Sequence, residues 1–215
     1  MLKCIIFDMD GTIADTLPLC IAAFRRSVEF YLEKPVSAEE IVATFGASEE
    51  GTMRSLIPDH IEEGTHRYWE EYRSLHETMC PRPFNGMPEL IQLLKDKGLN
   101  VALVTGKGPV SLDITLEVFH MKNVFDAIEP GSPLGPNKPA CLKNVLKQLH
   151  LAPDETLYIG DTSSDILATR AVSIPIISVA WASTVELEDL KAHNPDYLCY
   201  SVDELRDLLL KKIAE

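Results

Sequence analysis

Four short runs, Lys3 to Phe7, Val101 to Val104, Thr156 to Ile159 and Ile176 to Ala180, are apolar on nearly every successive position and are bounded by Asp, Gly or Thr. A strand with one wet face alternates apolar and polar residues, so runs of this kind predict strands covered on both faces. Helical spacing fills the intervals: Pro88 to Lys97 (Leu90, Ile91, Leu93, Leu94), Val110 to His120, Pro139 to His150 and Asp165 to Val172. Buried strands alternating with helices predict a parallel, doubly wound, Rossmann-like α/β sheet. Val202 to Ile213, with Leu205, Leu208, Leu209 and Ile213 at helical spacing behind the N-cap candidate Ser201, predicts a last helix against one face of it.

One segment breaks this rhythm. Residues 17–80 carry helical periodicity (Ile21, Phe24, Val28, Tyr31; Ile41, Phe45; Tyr68, Trp69, Tyr72, Leu75) and no strand pattern. Their borders, Thr16-Leu17-Pro18 and Cys80 to Gly86, are rich in proline or glycine, as two chain crossings require. The expected division is an α/β domain of residues 1–16 and 81–215 with an all-helical insert at 17–80. At 215 residues, 46% of them hydrophobic, the chain is long enough for both.

Thirty-three acidic against 20 basic residues give a formal charge of -13, which repels nucleic acid and anionic lipid. The five cysteines include no CxxC pair and are expected to be reduced thiols of a cytoplasmic protein. The first apolar run is too short for a signal-peptide core, and Ala171 to Ala182, interrupted by Ser173, Pro175 and Ser178, is too short to span a membrane.

The first strand runs straight into Asp8-Met9-Asp10-Gly11-Thr12, which puts two carboxylates at the carboxyl edge of the sheet, where open α/β folds bind ligands. Three later loops carry Thr105-Gly106-Lys107, Asn137-Lys138-Pro139 and Gly160 to Asp165 (GDTSSD). Each alone also reads as a turn or a helix cap. Together they would converge on one crevice holding Asp8, Asp10, Asp161 and Asp165. Like charges about 4 Å apart repel by about 4 kcal/mol at an effective dielectric near 20, so the cluster needs cations. Hard oxygen donors, without His or Cys at ligand spacing, suit Mg²⁺ better than Zn²⁺, and Lys138 supplies a second positive charge.

Taken in order, DMDGT, a Thr-Gly after a strand, Lys-Pro and GDTSSD resemble the four signature motifs of the haloacid dehalogenase superfamily of phosphatases. The helical insert behind the first motif, DGTIADT, and FNGMPELIQLLKDKGLNVALVTGK are similar to its phosphoglycolate phosphatase-like branch with a small helical cap. The resemblance implies Asp8 as the nucleophile that becomes an aspartyl phosphate and Asp10 as general acid and base. It implies Mg²⁺ held by Asp8, the Asp10 carbonyl and Asp161, with Asp165 close by or joined through water. Thr105, the Gly106 amide and Lys138 would hold the phosphoryl oxygens. The chain departs from the family's habit at Val172-Ser173, Ser178 and Trp181-Ala182, beyond these residues.

The carboxylate at Asp10 favours a phosphatase over a dehalogenase. Lys34, the only lysine of the insert, lies in the turn-like Glu33-Lys34-Pro35, a poor place for a Schiff-base amine. Cys20 stands where related mutases carry a histidine. The expected substrate is a small phosphorylated metabolite, phosphoglycolate-like or a sugar phosphate. An inorganic pyrophosphatase, a β-phosphoglucomutase-like phosphotransferase and, from another class, a non-catalytic phosphate- and Mg²⁺-binding module are the alternatives. A receiver-like module would be shorter and would place its acids before the lysine, whereas Asp161 and Asp165 follow Lys138. Within the insert, Phe45, Gly46 and Arg54 are the candidates for reading the leaving group, Arg54 by pairing with a carboxylate. Thr105-Gly106-Lys107-Gly108 has a phosphate-loop flavour but lacks the spacing of one and is set aside. The protein is expected to act as a monomer or homodimer.

Overall fold

The computed structural model describes residues 1–214. Six strands form a single all-parallel sheet in the order β3-β2-β1-β4-β5-β6: β1 (Cys4–Phe7), β2 (Asn100–Val104), β3 (Ala127–Glu129), β4 (Thr156–Gly160), β5 (Ile176–Val179) and β6 (Tyr197–Cys199). The four strands predicted from apolar runs are its buried centre. β3 and β6, three residues each and only partly buried, form its edges and carry no comparable run.

Successive residues of a strand face opposite sides, and two apolar clusters follow from that. Ile5 and Phe7, with Val101, Leu103, Leu157 and Ile159, pack under α5 (Met87–Asp96), α6 (Pro109–Val118) and α10 (Val202–Ala214). Cys4 and Ile6, with Ala102, Val104, Tyr158 and Ile176, pack under α7 (Lys138–Gln148), α8 (Ser163–Arg170) and α9 (Leu187–Ala192). Three of these helices start one residue before the apolar periodicity because proline occupies N1 or N2 of α5, α6 and α7, where its missing N–H costs nothing.

Residues 17–80 fold into α1 (Leu17–Leu32), α2 (Ala38–Val42), α3 (Glu49–Leu56), a short 3₁₀ turn at Pro58–His60 and α4 (Ile61–Met79). Leu19, Phe24, Val28, Tyr68 and Tyr72 join the Ile5/Phe7 cluster without a break. Tyr72 and His76 of α4 both hydrogen-bond Thr115 of α6, at 2.7 and 3.1 Å. The two crossings meet where the Phe84 amide donates to the Ile13 carbonyl at 2.9 Å. No helix among the described residues is long and apolar enough to cross a membrane.

The chain goes from β1 to β2 and β3 on one side and then to β4, β5 and β6 on the other, so the order reverses between β1 and β4. Loops leaving adjacent strands on either side of such a reversal diverge and leave a crevice at their carboxyl ends.

Candidate active site

The loops after β1, β2 and β4 and the start of α7 bring Asp8, Thr105, Lys138, Asp161 and Asp165 to that crevice. One oxygen from each of Asp8, Asp161 and Asp165 lies within 4.8 Å of the others, and all three residues are buried. Lys138 Nζ donates to Asp8 Oδ2 at 2.7 Å and also to Asp165 Oδ1. Burial works against this ammonium, but Asp165 and Asp8 outweigh it and hold its pKa well above the ordinary lysine value. The carboxyls move the other way. Burial, with Asp165 and Asp10 adding to it against Lys138, pushes Asp8 up to about 6. Burial, then Asp8 and Asp165, pushes Asp161 well above the usual carboxylate range. One lysine thus faces three acids and leaves them under-compensated.

The donor set fits a hard divalent cation. Asp165 is committed to the protein on both oxygens: Oδ1 accepts from Lys138 and from Tyr158 Oη (2.9 Å), and Oδ2 accepts from the Thr162 amide (3.1 Å) and hydroxyl (2.8 Å). Asp8 accepts from the Met9 amide (2.7 Å) and Lys138, and Asp161 from Thr12 Oγ1 (3.1 Å), which leaves lone pairs on each for an ion. Asp8 and Asp161 are therefore the two carboxylates able to ligate directly, with Asp165 orienting Lys138 beside them.

Gly11 makes this approach possible. Its φ is +77°, and a Cβ there would stand 2.0 Å from Asp161 Oδ2. Gly11→Ala is expected to displace Asp161 and lower Mg²⁺ affinity at least about tenfold, measured by calorimetric titration of the purified variant. Trp181 donates from its indole to the Thr12 carbonyl at 3.2 Å and so ties the loop after β5 to the same turn.

Thr105 is buried and its Oγ1 accepts from the Lys107 amide at 3.2 Å; Gly106 is exposed, with open space where a Cβ would stand. Asp10 lies one step out from Asp8. Its Oδ1 accepts from Thr16 Oγ1 and stands 2.9 Å from the ammonium of Lys107, a residue set aside in the sequence. Lys107, buried on the loop after β2, is the site residue that sequence reasoning missed; its only local signal was Thr-Gly-Lys directly after a strand.

The helical segment touches this edge of the sheet through α3. Glu49 Oε1 accepts from the Gly108 amide at 3.2 Å and from the Ser111 hydroxyl, both at the start of α6. Its Oε2 is buried without a hydrogen-bond partner, and burial raises the Glu49 pKa. Glu49→Ala strands both donors and is expected to cost about 1–3 kcal/mol, seen as a lower urea midpoint. Arg54 is exposed and donates to the Pro133 carbonyl at 3.0 Å, the exposed Gly46 abuts Pro136, and Phe45 packs on Phe24 with ring centroids 5.8 Å apart. The three candidates for leaving-group recognition thus hold the segment against the 130–136 loop and its own core.

Residues 5–179 match the family model described as haloacid dehalogenase-like hydrolase. Among curated relatives, the pyrophosphatase PpaX of Anoxybacillus flavithermus is 25% identical over 211 residues, 95% of each chain. A haloacid dehalogenase-like family hydrolase from Streptococcus pneumoniae superposes with a TM-score of 0.78 at 24% identity, over 97% of this chain and 98% of that one. CbbY from Rhodobacter sphaeroides, solved in complex with phosphate, gives a TM-score of 0.76 at 20% identity over 92% and 93% of the two chains. At these identities the two solved structures share the fold.

Proposed function

Because the chain belongs to the haloacid dehalogenase-like hydrolase family, we propose that it is a Mg²⁺-dependent phosphatase that hydrolyses a small phosphorylated metabolite through an aspartyl phosphate. The observation that carries the reading is the buried acidic trio of Asp8, Asp161 and Asp165 answered by the one cation Lys138. Such a site stays under-compensated until a divalent ion enters, and the positive charge then gained suits a phosphoryl group.

Asp8, Asp161 and the Asp10 carbonyl would hold Mg²⁺. The ion would supply charge neutralisation for the phosphoryl oxygens and the nucleophile. An Asp8 oxygen attacks phosphorus; the bond from phosphorus to the leaving oxygen breaks, and Asp10 gives that oxygen a proton. Asp10 then takes a proton from water, whose oxygen attacks the same phosphorus. The bond to Asp8 breaks, inorganic phosphate leaves, and Asp8 is regenerated. Thr105, the Gly106 amide and Lys138 hold the equatorial oxygens throughout. Residues 17–80 act as a cap that covers the leaving group and excludes water. The enzyme would be cytoplasmic, in keeping with described residues that hold no helix long and apolar enough to cross a membrane, and would work as a monomer or homodimer.

The name of the curated relative supports a second reading, inorganic pyrophosphate as substrate. Hydrolysis of a panel of phosphoglycolate, sugar phosphates and pyrophosphate, each with Mg²⁺ and with EDTA, separates the two by kcat/KM. Absence of metal-dependent turnover on every member would refute the phosphatase reading.

A further inference from the structure

We infer that Lys107 is the positioning residue for Asp10, fixing one carboxylate oxygen from beneath so that the other faces the leaving group; this rests on the reading of Asp10 as general acid and base. Among the described residues, the side-chain hydrogen bonds and ion pair of Asp10 fall on Oδ1: the Thr16 hydroxyl, the Lys107 ammonium at 2.9 Å and, more loosely, Cys20 Sγ at 3.9 Å. None of the described hydrogen bonds reaches Oδ2. A carboxylate gripped through one oxygen keeps its plane and presents the other oxygen in a fixed direction, which proton transfer to a bound leaving group requires.

The grip is rigid on the lysine side. The Lys107 side chain is 1% exposed, against 23% for Asp10, so the amine sits inside the protein with the carboxylate at the rim of the crevice. Its backbone is pinned at both ends, the amide donating to Thr105 Oγ1 (3.2 Å) and the carbonyl accepting from the Gly131 amide (2.8 Å). The ammonium also lies 3.2 Å from Cys20 Sγ of α1 and 4.7 Å from the Tyr72 ring centre of α4. Because Cys20 and Tyr72 belong to the helical segment and Lys107 to the sheet edge, Asp10 is aimed only while that segment is seated.

Aryl phosphates in which the departing phenolate becomes steadily more basic, p-nitrophenyl, phenyl and p-methoxyphenyl phosphate, provide the test. kcat/KM covers the steps up to loss of the phenolate, and a basic phenolate needs the proton where p-nitrophenolate does not. Lys107→Met and the polar Lys107→Gln are expected to lose at least about tenfold more kcat/KM on phenyl and p-methoxyphenyl phosphate than on p-nitrophenyl phosphate. Calorimetric Mg²⁺ affinity should stay within about threefold of the parent, since Lys107 meets the Asp10 side chain whereas the ligand proposed there is its backbone carbonyl. Asp10→Asn, run alongside, should show the same steepening more strongly. A loss uniform across the series in whichever Lys107 variant folds, or no loss, overturns the inference while a steepened Asp10→Asn leaves the acid-base reading standing. A flat Asp10→Asn series refutes that reading, and the inference with it.

Discussion

Asp8→Asn is expected to reduce turnover to background, a loss of at least about 10⁴-fold, because an amide offers no nucleophile to phosphorus. The variant should stay folded. Lys138 retains Asp165 as a partner, and the Asn carbonyl can still accept its hydrogen bond. Removing one acid from the buried trio also relieves repulsion, so the metal-free variant should melt at or above the parent's temperature at pH 8. Metal-dependent turnover surviving in a homogeneous Asp8→Asn preparation would place the nucleophile elsewhere.

The second large effect links metal, protons and stability. The unfolded chain releases the Asp8 proton near the ordinary value of 3.8, whereas the folded chain keeps it up to about 6. Between these values the folded state binds more protons, so stability is greatest below the unfolded value and falls as pH rises through the folded one. In EDTA, Asp8 alone should cost about 3 kcal/mol by pH 7, and Asp161, shifted the same way, deepens the loss. Mg²⁺ binds the ionised carboxylates and should cancel the decline, so melting curves from pH 4 to 8 with EDTA and with Mg²⁺ should diverge increasingly upward in pH. Asp161→Asn should remove most of the divergence and weaken Mg²⁺ at least about 100-fold by calorimetry, more than loss of a supporting group does. Parallel melting curves would mean that the trio is not where the ion binds.

The central strands were legible because burial on both faces writes itself into the chain as an unbroken apolar run, as in Cys4-Ile5-Ile6-Phe7. The edge strands were not: Ala127-Ile128-Glu129 and Tyr197-Leu198-Cys199 are short and half-wet, and pairing with a neighbour makes them strands. Among the candidate site residues, the convergence of Asp8, Asp161, Asp165, Lys138 and Thr105 on one edge was readable because each sits just beyond a strand or at a helix start, so topology alone gathers them. Lys107 escaped because what makes it significant is Asp10, in a different loop, and a buried ammonium has the same letter as a solvated one. The same holds for Glu49, and for the contact that Arg54, named as a candidate, makes: their partners at the start of α6 and in the 130–136 loop come from distant sequence. Local pattern records what an element is, and tertiary pairing decides what a charged residue on it does.

The hydrogen bond between Phe84 and Ile13 brings the two chain crossings of the helical segment side by side, a few residues from Asp10, while its helices share a core and side-chain bonds with the sheet domain. A segment that leaves and returns at adjacent points can vary in length during evolution without altering the order or register of the strands. Any such exchange must also keep the groups that the helices lend to the sheet edge, Cys20 and Tyr72 beside Lys107 and Glu49 at the start of α6.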